Sequence, residues 1–195
     1  VSNNPEEGKK VISVIEDELM KCDQFQISVA FITMGGITPL LQTLKELEKR
    51  QIPGQILTTN YLNFSEPRAL KKLQELSNIT LKMYDVDRAD QGFHTKGYIF
   101  KKEEIYRIII GSSNITSAAL TKNKEWNTKI VSTEQGEIAQ EIVKEFYQLW
   151  DSKYALSFDE FYENYKQKYE IIKKQRKIAK QDEISSTAKY KLEPN

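Results

Sequence analysis

The residues best placed to do chemistry are His94 and Lys96, two positions apart in Phe93-His94-Thr95-Lys96-Gly97. The small polar run Gly111-Ser112-Ser113-Asn114 joins them, following the apolar stretch Ile108-Ile109-Ile110. His94 is the only histidine in the chain. On a strand, period-two alternation sets His94 and Lys96 on one face, with Thr95 and Gly97 on the other. The tetrapeptide adds a hydroxyl, an amide and backbone N–H groups. A nucleophilic imidazole, a cation and a ring of neutral donors are what cleavage of a phosphodiester needs.

The elements that must position these residues alternate along the chain. Val11, Ile12, Ile15, Leu19 and Met20 recur at helical spacing, and Gln26 to Thr33 reads as a buried strand. Gly35-Gly36 breaks it, and Thr33 to Gly36 are expected at the end of that strand, at a cleft open to substrate. Leu40, Leu41, Leu44 and Leu47 mark a second helix ending near Gln51, and Pro53-Gly54 a turn. A strand over Gln55–Asn60, a helix over Glu66–Ser77 and a strand over Leu81–Tyr84 follow. Then come the His94 strand, a strand over Tyr106–Ile110, a short helix (Thr116–Leu120), a strand (Trp126–Val131) and a helix (Gly136–Trp150). This order predicts an α/β fold: a mixed central β-sheet flanked by helices, with a C-terminal helical extension. The sheet is expected to be mixed because a short polar turn joins the His94 strand to its neighbour.

Residues 1–152 are expected to form the sheet-bearing domain, and 153–195 an extension and linker. Phe158 to Lys180 reads as one long helix, aromatic at first (Phe161, Tyr162, Tyr165, Tyr169) and then basic (Lys173, Lys174, Arg176, Lys177, Lys180). Aromatics stack on bases and lysines track phosphates, but packing of the aromatics on the domain is the favoured reading. Asp182 to Asn195 reads as a linker.

Composition narrows the partners. Of 195 residues, 39% are hydrophobic and 29% charged, and the net charge is +1, so any nucleic-acid contact must come from a local patch rather than bulk charge. Cys22 is the only cysteine, which excludes an internal disulfide and multi-cysteine zinc sites and fits a reducing cytoplasm. No apolar run reaches the roughly 18 residues of a membrane span. The first residues lack the basic-then-apolar pattern of a signal peptide.

His94-x-Lys96 followed by Gly111-Ser112-x-Asn114 resembles the HxK…GSxN signature of the phospholipase D superfamily, and in particular its single-motif endonuclease branch. A glutamate eleven residues past the asparagine, Glu125, extends the likeness. The chain is similar over roughly residues 8 to 150. More narrowly, it looks like the phospholipase D-like domain that precedes a DEAD/DEAH-type helicase in bacterial restriction-related proteins. There a Leu-x-Pro-Asn segment introduces the motor, and this chain ends in Leu192-Glu193-Pro194-Asn195. Two departures stand out: the family pattern places an aspartate where this chain has Lys101, and only one HxK is present.

The resemblance implies a homodimer-shared site acting on DNA without metal or other cofactor. His94 of one copy attacks phosphorus while its twin protonates the leaving oxygen. Lys96 neutralises the phosphorane, Ser112 and Asn114 donate to its oxygens, and Glu125 holds the far nitrogen of His94. Lys122, Lys124 and Lys129 are candidates for backbone phosphate contacts. Each residue also has a plainer reading: Lys96 as an edge charge, Gly-Ser-Ser-Asn as a turn before a helix capped by Thr116 or Ser117, and Glu125 as an exposed glutamate beside lysine. The alternatives in function are a DNA-binding module that does not cut, supported by Lys101, and a lipid phosphodiesterase.

Overall fold

Apolar residues recurring at two different periods divide the chain into helices that cover a sheet on both faces. The computed structural model describes residues 1–4 and 6–190. Its strands are β1 (Gln24–Ser28), β2 (Gly54–Thr59), β3 (Ile79–Tyr84), β4 (Gly97–Lys102), β5 (Ile105–Gly111), β6 (Asn127–Thr133) and β7 (Ala155–Ser157). Between them lie α1 (Val11–Lys21), α2 (Met34–Ile37), α3 (Leu41–Lys49), α4 (Pro67–Gln74), α5 (Val86–Ala89), α6 (Ser117–Thr121), α7 (Glu137–Trp150) and α8 (Phe158–Tyr190).

The strands form one seven-stranded mixed sheet in the order β6-β5-β4-β1-β2-β3-β7. β1, β2 and β3 are parallel, with α3 and α4 in their crossovers. β4, β5 and β6 form an antiparallel meander attached to β1. The β4–β5 turn is short because Glu103 takes a left-handed conformation (φ 51°), which lets the chain reverse within two residues.

Two apolar layers sandwich the sheet. On one face Phe25, Ile27, Ile56, Tyr98 and Ile109 pack with Ile15, Leu19, Leu44, Leu47, Leu70 and Leu73 from α1, α3 and α4. On the other, Leu57, Tyr84, Ile99 and Ile108 meet Ala139, Phe146 and Trp150 of α7. Each fully buried side chain of this size stabilises the fold by about 1.5–3 kcal/mol. Cys22 is buried in the first layer, and that burial pushes its thiol up to about 11, leaving it protonated and unreactive near neutrality.

Four expectations change. β1 ends at Ser28 rather than Thr33: Val29 N–H still donates to the Leu57 carbonyl, but the N–H groups of Ala30 and Phe31 leave the ladder for the Asn114 side chain. His94 and Lys96 precede β4 rather than lie in it. The unit does not close at residue 152: β7 pairs with β3, and Phe161 and Tyr165 of α8 enter the first apolar layer. The stretch 182–190 continues α8 instead of forming a linker, and Leu192–Asn195 lie outside the described residues. Among the described residues, no helix is long and apolar enough to cross a membrane.

Candidate active site

The pairing registers carry the chemistry to one end of the sheet. Ser28 at the end of β1 faces Gly97 at the start of β4, Gly97 faces Ile110 near the end of β5, and Gly111 faces Asn127 at the start of β6. The loops leaving these four strand ends hold Phe31, His94, Lys96, Ser112, Asn114 and Glu125. Gly111 is required there, because a Cβ at this position would sit 2.1 Å from the Trp126 carbonyl oxygen.

His94 is exposed, held by its buried neighbour Phe93 and by Tyr61, whose ring meets the imidazole edge-on at 4.7 Å between centroids. Thr95 shares a 2.5 Å hydroxyl–hydroxyl hydrogen bond with Ser28. Lys96 is half-buried, and its Nζ donates to the His94 carbonyl at 3.1 Å while the Lys96 carbonyl accepts from Gly111 N–H at 3.2 Å. These two bonds keep the cation within the turn that carries the imidazole. The segment is a loop, so strand alternation does not govern it, and His94, Thr95 and Lys96 line one cavity.

Asn114 has a fixed orientation. Its Oδ1 accepts from the backbone N–H groups of Ala30 and Phe31, at 3.0 and 3.1 Å. Both lone pairs of the amide oxygen are thus occupied, and among the described residues its Nδ2 has no acceptor. That leaves an N–H₂ group available to an anion. The loop is pinned further: Tyr98 Oη donates to the Ser113 carbonyl at 2.8 Å, and Asn127 Nδ2 donates to Ser113 Oγ at 3.0 Å. Burial, and secondarily the Glu125 charge, pushes the Tyr98 phenol well above its usual range, so it stays a donor. Thr116 caps α6 by accepting from Ala119 N–H.

Three of the expected site residues have partners within the chain. Glu125 is buried, but its carboxylate is engaged by Ser112 Oγ; no bond joins it to His94 of the same chain. Ser112 Oγ donates to Glu125 and accepts from Trp126 N–H at 3.1 Å. Lys129 is ion-paired with the buried Glu18, which Arg107 also approaches at 3.7 Å, so its charge ties α1 to the meander. Lys122 and Lys124 stay at the surface with Trp126 around a shallow depression beside Glu125. The glycines after β1 pack against residues 115–117, while Met34 between Thr33 and Gly35 lines a cavity of about 620 Å³ toward α4 and α8, on the side of Lys71 and Tyr169.

Sequence reasoning missed Tyr61 and Phe31, which lie far from the motif in the chain and touch it only through the fold. It also left Lys101 unexplained. Lys101 forms a 2.9 Å salt bridge with Glu134 near the opposite end of β4, about 16 Å along the strand from Lys96 at roughly 3.3 Å per residue. Its departure from the family pattern lies away from the chemistry. Among the described residues no group of three or more His, Cys, Asp or Glu side chains could hold a metal ion.

A family model described as cardiolipin synthase, phospholipase D-like domain, matches residues 15–150. The chain belongs to this phospholipase D-like family. No curated protein matches it. Among solved structures, NucT from Helicobacter pylori is similar with a TM-score of 0.58 at 14% identity, over 76% of this chain and 91% of that one. A phosphatidylserine synthase from Haemophilus influenzae aligns with a TM-score of 0.55 at 13% identity, over 88% of this chain and 43% of its own. A polyphosphate kinase from Porphyromonas gingivalis aligns with a TM-score of 0.54 at 11% identity, over 75% of this chain and 22% of its own. At these identities the neighbours establish the phospholipase D-like fold alone.

Proposed function

We propose that this phospholipase D-like chain is a DNA phosphodiesterase whose catalytic centre forms between two copies and works without a metal ion. The observation that carries this reading is the convergence of His94, Lys96 and the outward amide of Asn114 at one sheet end. In the first step a His94 nitrogen attacks phosphorus and the bond to the leaving oxygen breaks, that oxygen taking a proton from His94 of the second copy. In the second step the now neutral imidazole of the second copy takes a proton from water. The resulting hydroxide attacks phosphorus, and the phosphohistidine N–P bond breaks. Lys96 and Asn114 Nδ2 stabilise the charge that accumulates on the non-bridging oxygens.

One copy supplies a single imidazole, and its Glu125 is turned to Ser112. The second imidazole therefore comes from the partner. The surface around the site suits such pairing: Trp126, next to Glu125, is 87% exposed, and β6 is an open sheet edge.

Release of nitrophenol from a bis-aryl phosphate in EDTA tests the chemistry. Parent protein is expected to turn over and His94→Ala to be inactive. No turnover by the parent would favour a module that grips DNA without cutting, and turnover lost in EDTA would overturn the metal-free step. Sedimentation is expected to show a dimer; a fully active monomer contradicts the shared site.

A further inference from the structure

Two surfaces lead away from His94, and they differ in chemistry. One is a cleft of about 480 Å³ toward α7, walled by Ile138, Ile142 and Phe146 but rimmed by Glu141 and Glu145, which repel a polyanion. The other is aromatic. Tyr61 contacts the His94 ring; Phe31 stacks with Tyr61 at 6.3 Å and 18°, and Phe64 meets Phe31 edge-on at 5.2 Å. The Arg176 guanidinium of α8 sits 4.3 Å from the Phe64 ring centre and donates to the Leu62 carbonyl.

The turn that presents these rings is costly. Leu62 and Asn63 take left-handed backbone conformations at φ 52° and 49°, each a strain of about 1–3 kcal/mol for a non-glycine residue. Asn63 Oδ1 is buried without a partner, and Leu62 and Phe64 remain 48% and 43% exposed. Connection of β2 to α4 does not by itself call for an exposed Phe64 ring packed on the Phe31–Tyr61 pair that contacts the imidazole.

We infer that Tyr61 and Phe64, with the Arg176 guanidinium lying over one face of the Phe64 ring, are a stacking platform that holds the bases of an unpaired DNA strand as its backbone enters the His94 site. This rests on the phosphodiesterase reading and adds a substrate class to it. Bases stack on aromatic side chains only when they are not already stacked within a duplex, so the platform selects single strands, and the guanidinium supplies a phosphate contact in the same patch.

Fluorescence anisotropy with His94→Ala protein, which keeps the labelled strand intact, is the test. A labelled oligothymidylate of about twenty nucleotides is expected to bind at least ~10-fold tighter than a blunt duplex of equal length, and Phe64→Ala to weaken that binding about ten-fold, with Phe64→Trp restoring it. Duplex affinity is expected to stay unchanged in Phe64→Ala, whose exposed side chain is not needed for folding. Equal affinity for strand and duplex, or equal loss on both, overturns the platform. So does dissociation of the dimer by Phe64→Ala, which would make the rings a contact between copies. An oligouridylate bound more tightly than the oligothymidylate would overturn the assignment to DNA. Turnover of the bis-aryl phosphate without strand preference would sink the platform alone; strand preference without turnover would sink the hydrolytic reading alone.

Discussion

The two halves of the sheet divide scaffold from chemistry. The parallel half, β1-β2-β3, is covered on both faces, and its central strand is nearly continuous in buried residues, Ile56 to Thr59. The antiparallel half, β4-β5-β6, places His94, Lys96, Ser112, Asn114 and Glu125 on its connecting loops and ends in an edge strand whose residues are mostly exposed. Antiparallel neighbours need only short turns, so a stretch of about thirty residues can converge on one point; parallel neighbours need a helix between them and send sequence-adjacent residues to opposite ends. The difference explains why the motif is compact in sequence while its supports are not.

Perturbing each half separately breaks or sharpens that division. The largest effect is expected from His94→Ala, with bis-aryl phosphate turnover down by about 10³-fold or more and the melting temperature unchanged, since the ring is exposed. Leu57→Ala in the parallel half should do the reverse, lowering stability by about 2–5 kcal/mol in a urea titration, because the side chain is fully buried in the α7 layer. If it instead left stability intact and cut turnover, the scaffold assignment would fall. Asn114→Asp separates the two roles of one residue: oxygen acceptors for Ala30 and Phe31 remain, so stability should stay within about 1 kcal/mol, while a carboxylate facing phosphate should lower kcat about 100-fold. The smallest effect belongs to Lys101→Asp. Turnover should stay within about two-fold and stability within about 1 kcal/mol, as the interactions lost are an ion pair with Glu134 and a long contact with the Tyr106 ring. A large gain in rate from that change would show that position 101 reaches the site after all.

Much of this was legible from residue order. The alternation of elements, the mixed sheet, the capping by Thr116 and the packing of the α8 aromatics all follow from local periodicity and turn chemistry. Strand ends were less legible. The run from Val29 to Ile32 is uniformly apolar, so nothing in it marks where the ladder stops and the Asn114 amide takes over the N–H groups of Ala30 and Phe31. Lys129 carries no sequence mark of its pairing either, because its partner Glu18 is on a helix at the other end of the chain.

By itself the sequence determined which groups can react: an imidazole and an ammonium two residues apart, followed by a polar tetrapeptide and a glutamate within reach of a β-meander. Tertiary structure alone decided which of them keep free hydrogen-bonding groups and which are tied to other residues. Asn114 is turned outward by two backbone donors from the β1 end, Ser112 is turned to Glu125, Lys129 is neutralised by Glu18, and Tyr61 is brought against His94. The physical reason is that a side chain's free hydrogen-bonding capacity depends on every neighbour it has, and most of those neighbours arrive from distant parts of the chain.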